Sequence, residues 1–159
     1  MDSTKIQLSD AYRHVFIVDS QAMWSRDNKL YNSNTDLILT YDLGFKKYIE
    51  SLGGAAFYID HLIDNQRMQK NNFLIYEFFQ KWHFDENKKD IFEYKGIPFG
   101  IAFRLEIWND FVSYIRTYLC LSALVKVKFG SLYLRSDNDE IAIILRSLNV
   151  NYIHQNVIS

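Results

Sequence analysis

The stretch HVFIV, residues 14–18, decides the fold class. It is a continuous β-branched and aromatic run, without the alternation of a half-exposed strand, as expected for a strand covered on both faces. Four later segments have a similar strand-like composition: residues 37–41, 55–59, 131–135 and 150–154. Strands buried on both faces are typical of a parallel sheet with helices on either side.

Helical periodicity fills much of the chain between these strands. Apolar residues recur at helical spacing in four stretches: residues 43–52, 73–82, 101–126 and 141–148. Asp137 is the expected N-cap of the last helix, with Glu140 completing a capping box. The polar segment 64–72 is either a hinge or the exposed start of a helix.

A short hairpin is expected in residues 91–99, with its turn at Lys95-Gly96. The order of elements predicts an α/β fold, a three-layer Rossmann-like sandwich with a mainly parallel sheet and a hairpin excursion. The length of 159 residues suits one domain. We therefore expect a single Rossmann-like α/β domain over residues 1–159, which could be the amino-terminal part of a longer protein.

Composition excludes several classes of protein. The formal net charge is −1, so the basic excess of a nucleic-acid binder is absent. The single cysteine, Cys120, cannot form an internal disulfide and lies in an apolar helical stretch, where a thiol behaves as a small hydrophobe. The sequence shows no secretory signal and no apolar run of membrane-spanning length. We expect a cytoplasmic protein without a transmembrane segment, and peripheral membrane association stays open.

Polar residues follow the predicted strands where an open parallel sheet binds its ligands, beyond the carboxyl ends. His61 and Asp60 are the candidate catalytic residues, because a general base at a strand end is well placed. N-capping alone would explain Asp42 and Asp137, and a purely structural role is the simpler interpretation of His61. The candidate ligand-binding residues are Asp19, Ser20, Asp42, Gly44, Ser136, Asp137 and Asn138.

Phosphate-binding and metal-binding motifs are absent from the sequence. No glycine-rich dinucleotide fingerprint or P-loop occurs, and no G-x-S-x-G elbow marks a hydrolase. The four histidines do not form an i, i+4 metal-binding pair. We therefore expect no cofactor and no metal.

Aromatic residues are concentrated between the third and fourth predicted long strands. Core packing is the simpler explanation for most of them, whereas an exposed hairpin arm would suit a homodimer contact. The members of this set are Tyr76, Phe78, Phe79, Trp82, Phe84, Phe92, Tyr94 and Phe99.

Three parts of the chain carry a resemblance to a known family. They are TDLILTYDLG at residues 35–44, Gly53-Gly54 with AFYIDH at residues 56–61, and LYLRSDNDE at residues 132–140. Together they resemble the amino-terminal Rossmann-like half of GT-B-type glycosyltransferases of bacterial surface-polysaccharide pathways. The resemblance implies an acceptor-side domain that is inactive alone, with a second domain that holds most of the nucleotide sugar.

The resemblance leads to one expected function and leaves an alternative. The expected function is the acceptor-side domain of a glycosyltransferase-like enzyme in polysaccharide biosynthesis, with a sugar acceptor or nucleotide sugar as partner. His61 or Asp60 would then activate the acceptor hydroxyl, by position only. The alternative is a non-catalytic α/β interaction or regulatory domain that dimerises through its aromatic hairpin arm.

Overall fold

The computed structural model describes residue 6, residues 11–24 and residues 29–154. The described strands are β1 (Ala11–Val18), β2 (Asp36–Thr40), β3 (Ala56–Tyr58), β4 (Glu93–Tyr94), β5 (Ile97–Pro98), β6 (Lys128–Arg135) and β7 (Ile153–His154). The α-helices are α1 (Gln21–Trp24), α2 (Leu43–Ser51), α3 (Asn65–Lys81), α4 (Gly100–Ser122) and α5 (Asp139–Ser147). Two 3₁₀ turns, Ile59–Leu62 and Ala123–Lys126, complete the order.

Five strands form one parallel sheet in the order β3-β2-β1-β6-β7. Helices flank this sheet, so the predicted α/β Rossmann-like class is confirmed. The order runs outward from β1 through β2 to β3 and then resumes on the other side of β1 with β6. The sheet therefore has its topological switch point between β1 and β6.

The middle of the sheet is buried because its two central strands carry apolar side chains on both faces. Val15 to Val18 of β1 are fully buried, and every residue of β2 is buried. Successive side chains of a strand point to opposite faces, so Phe16, Val18 and Ile38 share one face. That face packs against Trp24 of α1 and Phe45 of α2. The run that predicted a doubly covered strand therefore forms the centre of the core.

The described residues divide into two compact units. The first contains the five-stranded sheet and is built from the described residues up to Leu62 and from Thr117 onward. The second, Ile63–Arg116, contains α3, the β4–β5 hairpin and most of α4. The single domain over residues 1–159 stays a prediction.

The second unit begins with a helix, so the polar segment 64–72 is the exposed start of α3. The Asp64 side chain caps that helix by accepting from the Arg67 amide at 2.8 Å. The predicted hairpin is confirmed, with Lys95 and Gly96 in the left-handed backbone conformation at its turn. No described helix has both the length and the apolarity to cross a membrane.

Candidate functional site

The candidate site lies at the carboxyl edge of the sheet, where β1 and β6 end side by side at the switch point. Val18 is in register with Arg135, the last residue of β6. The Asp19 amide donates to the Arg135 carbonyl oxygen at 3.1 Å, which extends the pairing by one residue. The side chains of Asp19 and Ser136 therefore leave the sheet at adjacent points, as the sequence predicts for strand-end ligand-binding residues.

A direct contact joins these two residues. The Ser136 hydroxyl, on a buried residue, donates to Asp19 Oδ2 and accepts from the Asn138 amide at 2.9 Å. Ser136 thus fixes the Asp19 carboxylate and orders the turn that leads into α5. Ser20 follows Asp19 after the end of β1. Its Oγ accepts from the Met23 amide of α1 at 3.4 Å.

The surroundings of Asp19 favour its protonated form more strongly than water favours that of a free aspartate. Burial raises the pKa of the Asp19 carboxyl, and the nearby Asp137 and Asp42 charges raise it further, whereas the Ser136 hydrogen bond opposes the shift. A carboxylate with a raised pKa is a better proton acceptor near neutral pH. Among the described residues, no group of three metal-ligating side chains could hold a metal ion.

Asp42 is the N-cap of α2, because its carboxylate accepts from the Phe45 amide. A Cβ at Gly44 would lie 3.2 Å from Asp42 Oδ1, so glycine leaves this carboxylate room. The cap uses one carboxylate oxygen of Asp42, Oδ1, and the residue is exposed beyond β2. Asp42 and Gly44 therefore border the carboxyl edge next to β1.

We expect Asp42→Ala to lower the free energy of unfolding by about 1 kcal/mol, because the α2 cap is lost. Asp42→Asn keeps a capping oxygen and should cost only a few tenths of a kcal/mol. Urea unfolding of the two variants measures the difference. Equal stability losses would show that the negative charge, rather than the cap, carries the contribution of Asp42.

The predicted catalytic pair lies at the end of β3, on the far side of β2 from the switch point. Both residues belong to the 3₁₀ turn Ile59–Leu62. His61 is exposed, and its ring makes an edge contact with Tyr58 at 5.4 Å. Asp60 is half-buried and lies 3.7 Å from the Cys120 sulfur of α4. The catalytic roles of His61 and Asp60 stay predictions.

Sequence reasoning missed Tyr41, which follows β2 at the same edge. Its hydroxyl donates to Thr117 Oγ1 of α4 at 3.2 Å, across 76 positions of sequence. Burial raises the pKa of the Tyr41 phenol, and charge at Cys120, Asp60 and Glu140 adds to the shift. Tyr41 is therefore a neutral hydrogen-bonding group of this edge. Tyr41 is the last residue of the predicted strand 37–41, next to Asp42, and this position is the signal that could have identified it.

One predicted role at this edge is wrong. Asn138, not Asp137, is the N-cap of α5: its Oδ1 accepts from the Glu140 amide at 2.9 Å. Glu140 consequently does not complete the predicted capping box. Asp137 is exposed at the turn, where its charge raises the pKa of Asp19. The correction moves Asp137 from a structural role into the electrostatic surroundings of the site.

Two pockets lie elsewhere in the first unit. One, of about 470 Å³, is lined by the aromatic rings of Trp24 and Tyr31, the loop at Asn32 and the backbone at Gly53-Gly54. The other, of about 540 Å³, lies beside residues 149–152 and Arg146. Neither of these two pockets is lined by Asp19 or Ser136.

Comparisons of the chain with protein families, curated proteins and solved structures found no match.

Proposed function

We propose that this chain is the acceptor-side, Rossmann-like domain of a glycosyltransferase-like enzyme of polysaccharide biosynthesis, acting in the cytoplasm. The observation that carries the proposal is the half-buried Asp19 carboxylate, held by Ser136 at the switch point of the parallel sheet. Ligands of open α/β sheets bind at such a point. A sugar hydroxyl donates to a carboxylate, and a carboxylate that attracts a proton can deprotonate that hydroxyl as it attacks.

The charge of this edge favours an acceptor over a nucleotide sugar. Asp19 is influenced by Asp42 and Asp137, and all three are acidic. Arg135, the basic residue directly before Ser136, is buried and donates to the carbonyl oxygens of Leu134 and Ile153. A diphosphate would meet repulsion here, whereas an uncharged polyol would find hydrogen-bond acceptors. The donor would be held by a second domain, as the family resemblance implies.

Ligand-detected NMR with neutral mono- and disaccharides tests the proposal, with UDP and UDP-glucose as the charged comparison. We expect saturation transfer to at least one neutral sugar and none to the two nucleotides. Binding of UDP alone would contradict the acceptor-side assignment. Sugar binding that is unchanged in Ser136→Ala, which removes the hydrogen bond to Asp19, would place the sugar elsewhere.

A further inference from the structure

The second unit, Ile63–Arg116, exposes an apolar face that its own helices do not cover. Five large apolar side chains on α3, α4 and the end of the hairpin form this face, and each is more than a third exposed. We call it the 103 face; its members are Leu74, Phe78, Phe99, Phe103 and Ile107. The prediction that most aromatics of this region pack in a core is wrong, since only Phe79 of the eight is buried.

The unit has a separate interior, so the 103 face is not half of its own core. Helices α3 and α4 run antiparallel: the Arg104 Nη1 donates to Gln80 Oε1 at 2.8 Å, while Phe78 stacks on Phe111 at 5.9 Å. Between the helices, Phe79 contacts Trp108 at 5.0 Å and Phe111 at 4.5 Å. The helices thus bury one side of each other and leave a second apolar side outward.

Helical spacing shows that the 103 face is continuous. Phe103, Ile107 and Phe111 follow each other at intervals of four on α4, so they form one row. Leu74 and Phe78 form the matching row on α3. The Phe78–Phe111 stack joins the two rows, and Phe99 stacks on Phe103 at 6.3 Å where the hairpin ends.

The hairpin beside this face is firmly anchored at its base. The Asp90 carboxylate accepts from the Phe92 amide and the Gly100 amide, each at 2.9 Å. A Cβ at Gly100 would lie 2.4 Å from His83 Nδ1, so only glycine fits against the buried His83 ring. Phe99 is therefore presented on a fixed support, which lowers the entropy lost when the face is covered.

The two edges of the 103 face carry opposite charge. On the α3 side, helical spacing places Arg67, Lys70 and Lys81 along the outer edge, with one acid, Glu77, beyond them. On the α4 side the outer edge carries Glu106 and Asp110. These six charged side chains are exposed. A two-fold axis that lies in the plane of the face, parallel to the helices, would place the basic edge of one copy on the acidic edge of the other.

The area also suits a dimer. A half-exposed aromatic ring leaves about 100 Å² to be buried, so the five side chains offer about 400 Å² of apolar surface. A standard interface covers about 800 Å² per partner, of which a little over half is apolar. Residues 63–116 contain eight basic and eight acidic side chains, so two copies do not repel each other by net charge.

We propose that the 103 face is a homodimer interface, in which α3 of one copy lies against α4 of a second copy. Sedimentation velocity of the full chain over a hundredfold range of concentration tests this. The wild type should form a concentration-dependent dimer. Phe78→Lys with Ile107→Lys should weaken association at least tenfold, about 1.4 kcal/mol, because charge replaces the centre of the face.

Reversing the charges on the two edges distinguishes this interface from non-specific hydrophobic association. Glu106→Lys with Asp110→Lys should weaken the dimer, as should Lys70→Glu with Lys81→Glu, and combining all four should restore it. Leu105→Lys is the matched control: Leu105 is 70% exposed on the other side of α4 and should leave association unchanged. Circular dichroism checks that each variant is folded. If Phe78→Lys unfolds, the charge variants test whether the 103 face forms the dimer.

Three results would overturn the proposal. The first is a wild type that remains monomeric over the whole range. The second is an equal loss of association in Leu105→Lys, which would show that any exposed apolar group drives it. The third is a quadruple charge variant that associates no better than either double variant.

Discussion

Replacing Asp19 by asparagine is expected to weaken binding of a neutral sugar about ten- to a hundredfold, while the free energy of unfolding at neutral pH rises. A hydrogen bond to a charged acceptor contributes about 1.5–3 kcal/mol, and the amide retains only part of it. The amide also ends the burial of a charge that Asp137 and Asp42 disfavour. NMR titration measures the first effect, and urea unfolding the second.

The pH dependence gives an independent check on Asp19. Its pKa is raised above the ordinary 3.8, so the folded state binds the proton more tightly than the unfolded state. The contribution of Asp19 to stability therefore improves as the pH falls through the folded pKa towards 3.8. The stability advantage of Asp19→Asn should accordingly shrink as the solution is acidified.

Glu86→Gln is the control for the Asp19 experiment, because Glu86 is an exposed acid of the second unit. It removes the same charge and should change neither sugar binding nor stability beyond about 0.5 kcal/mol. An Asp19→Asn variant that binds sugars like the wild type would remove Asp19 from the site. A variant that is less stable at neutral pH would show that the Ser136 hydrogen bond outweighs the burial of the charge.

The strands were predictable because burial on both faces leaves a local signature. Residues 14–18 and 37–41 contain the apolar runs that form the buried parts of β1 and β2, and only the ends of the strands differ. β1 starts three residues earlier, at Ala11, because β6 is also eight residues long and pairs with it from there. Pairing with a distant strand leaves no trace in the local sequence.

The contacts at the site were less predictable than the positions of its residues. Strand ends could be located, so Asp19 and Ser136 were identified, but their contact spans 117 positions and depends on the order of the strands. The cap of α5 was misassigned because Ser136, Asp137 and Asn138 are all good capping residues. Ser136 already donates to Asp19, and the helix begins at Asp139, one residue later than an N-cap at Asp137 would place it.

The aromatic residues of the second unit show a different limit. Helical spacing identifies apolar rows on α3 and α4, but each helix has apolar residues over more than one side. A sequence cannot say which row faces the neighbouring helix, because that depends on the antiparallel pairing. The ring contacts of Phe79 with α4 identify the row that faces the neighbouring helix, and Phe78 and Phe103 are left exposed.

Replacing Asp36 by alanine is expected to lower the free energy of unfolding by about 2–3 kcal/mol. The Asp36 carboxylate is buried and accepts from Arg13 Nη2 at 2.7 Å, from Arg13 Nε at 3.1 Å, from the Asn32 amide at 2.8 Å and from the Thr35 hydroxyl at 3.1 Å. The loss stays below the upper range for buried pairs, because the Arg13 side chain is 49% exposed and can be solvated. Urea unfolding at neutral pH measures it.

The exposed ion pair Lys89–Glu93, at 3.8 Å, is the matched control, and Glu93→Ala should change stability by less than about 0.5 kcal/mol.

Burial opposes ionisation of Asp36, but the hydrogen bonds from Arg13, Asn32 and Thr35 outweigh it and lower its pKa below 3.8. The stabilisation is therefore complete above about pH 4 and is lost as the pH falls through the folded pKa. The gap between wild type and Asp36→Ala should narrow in acid because the wild type loses the contribution of Asp36 there, whereas acid improves the contribution of Asp19. A gap that is independent of pH would mean that Asp36 acts through packing and not through its charge.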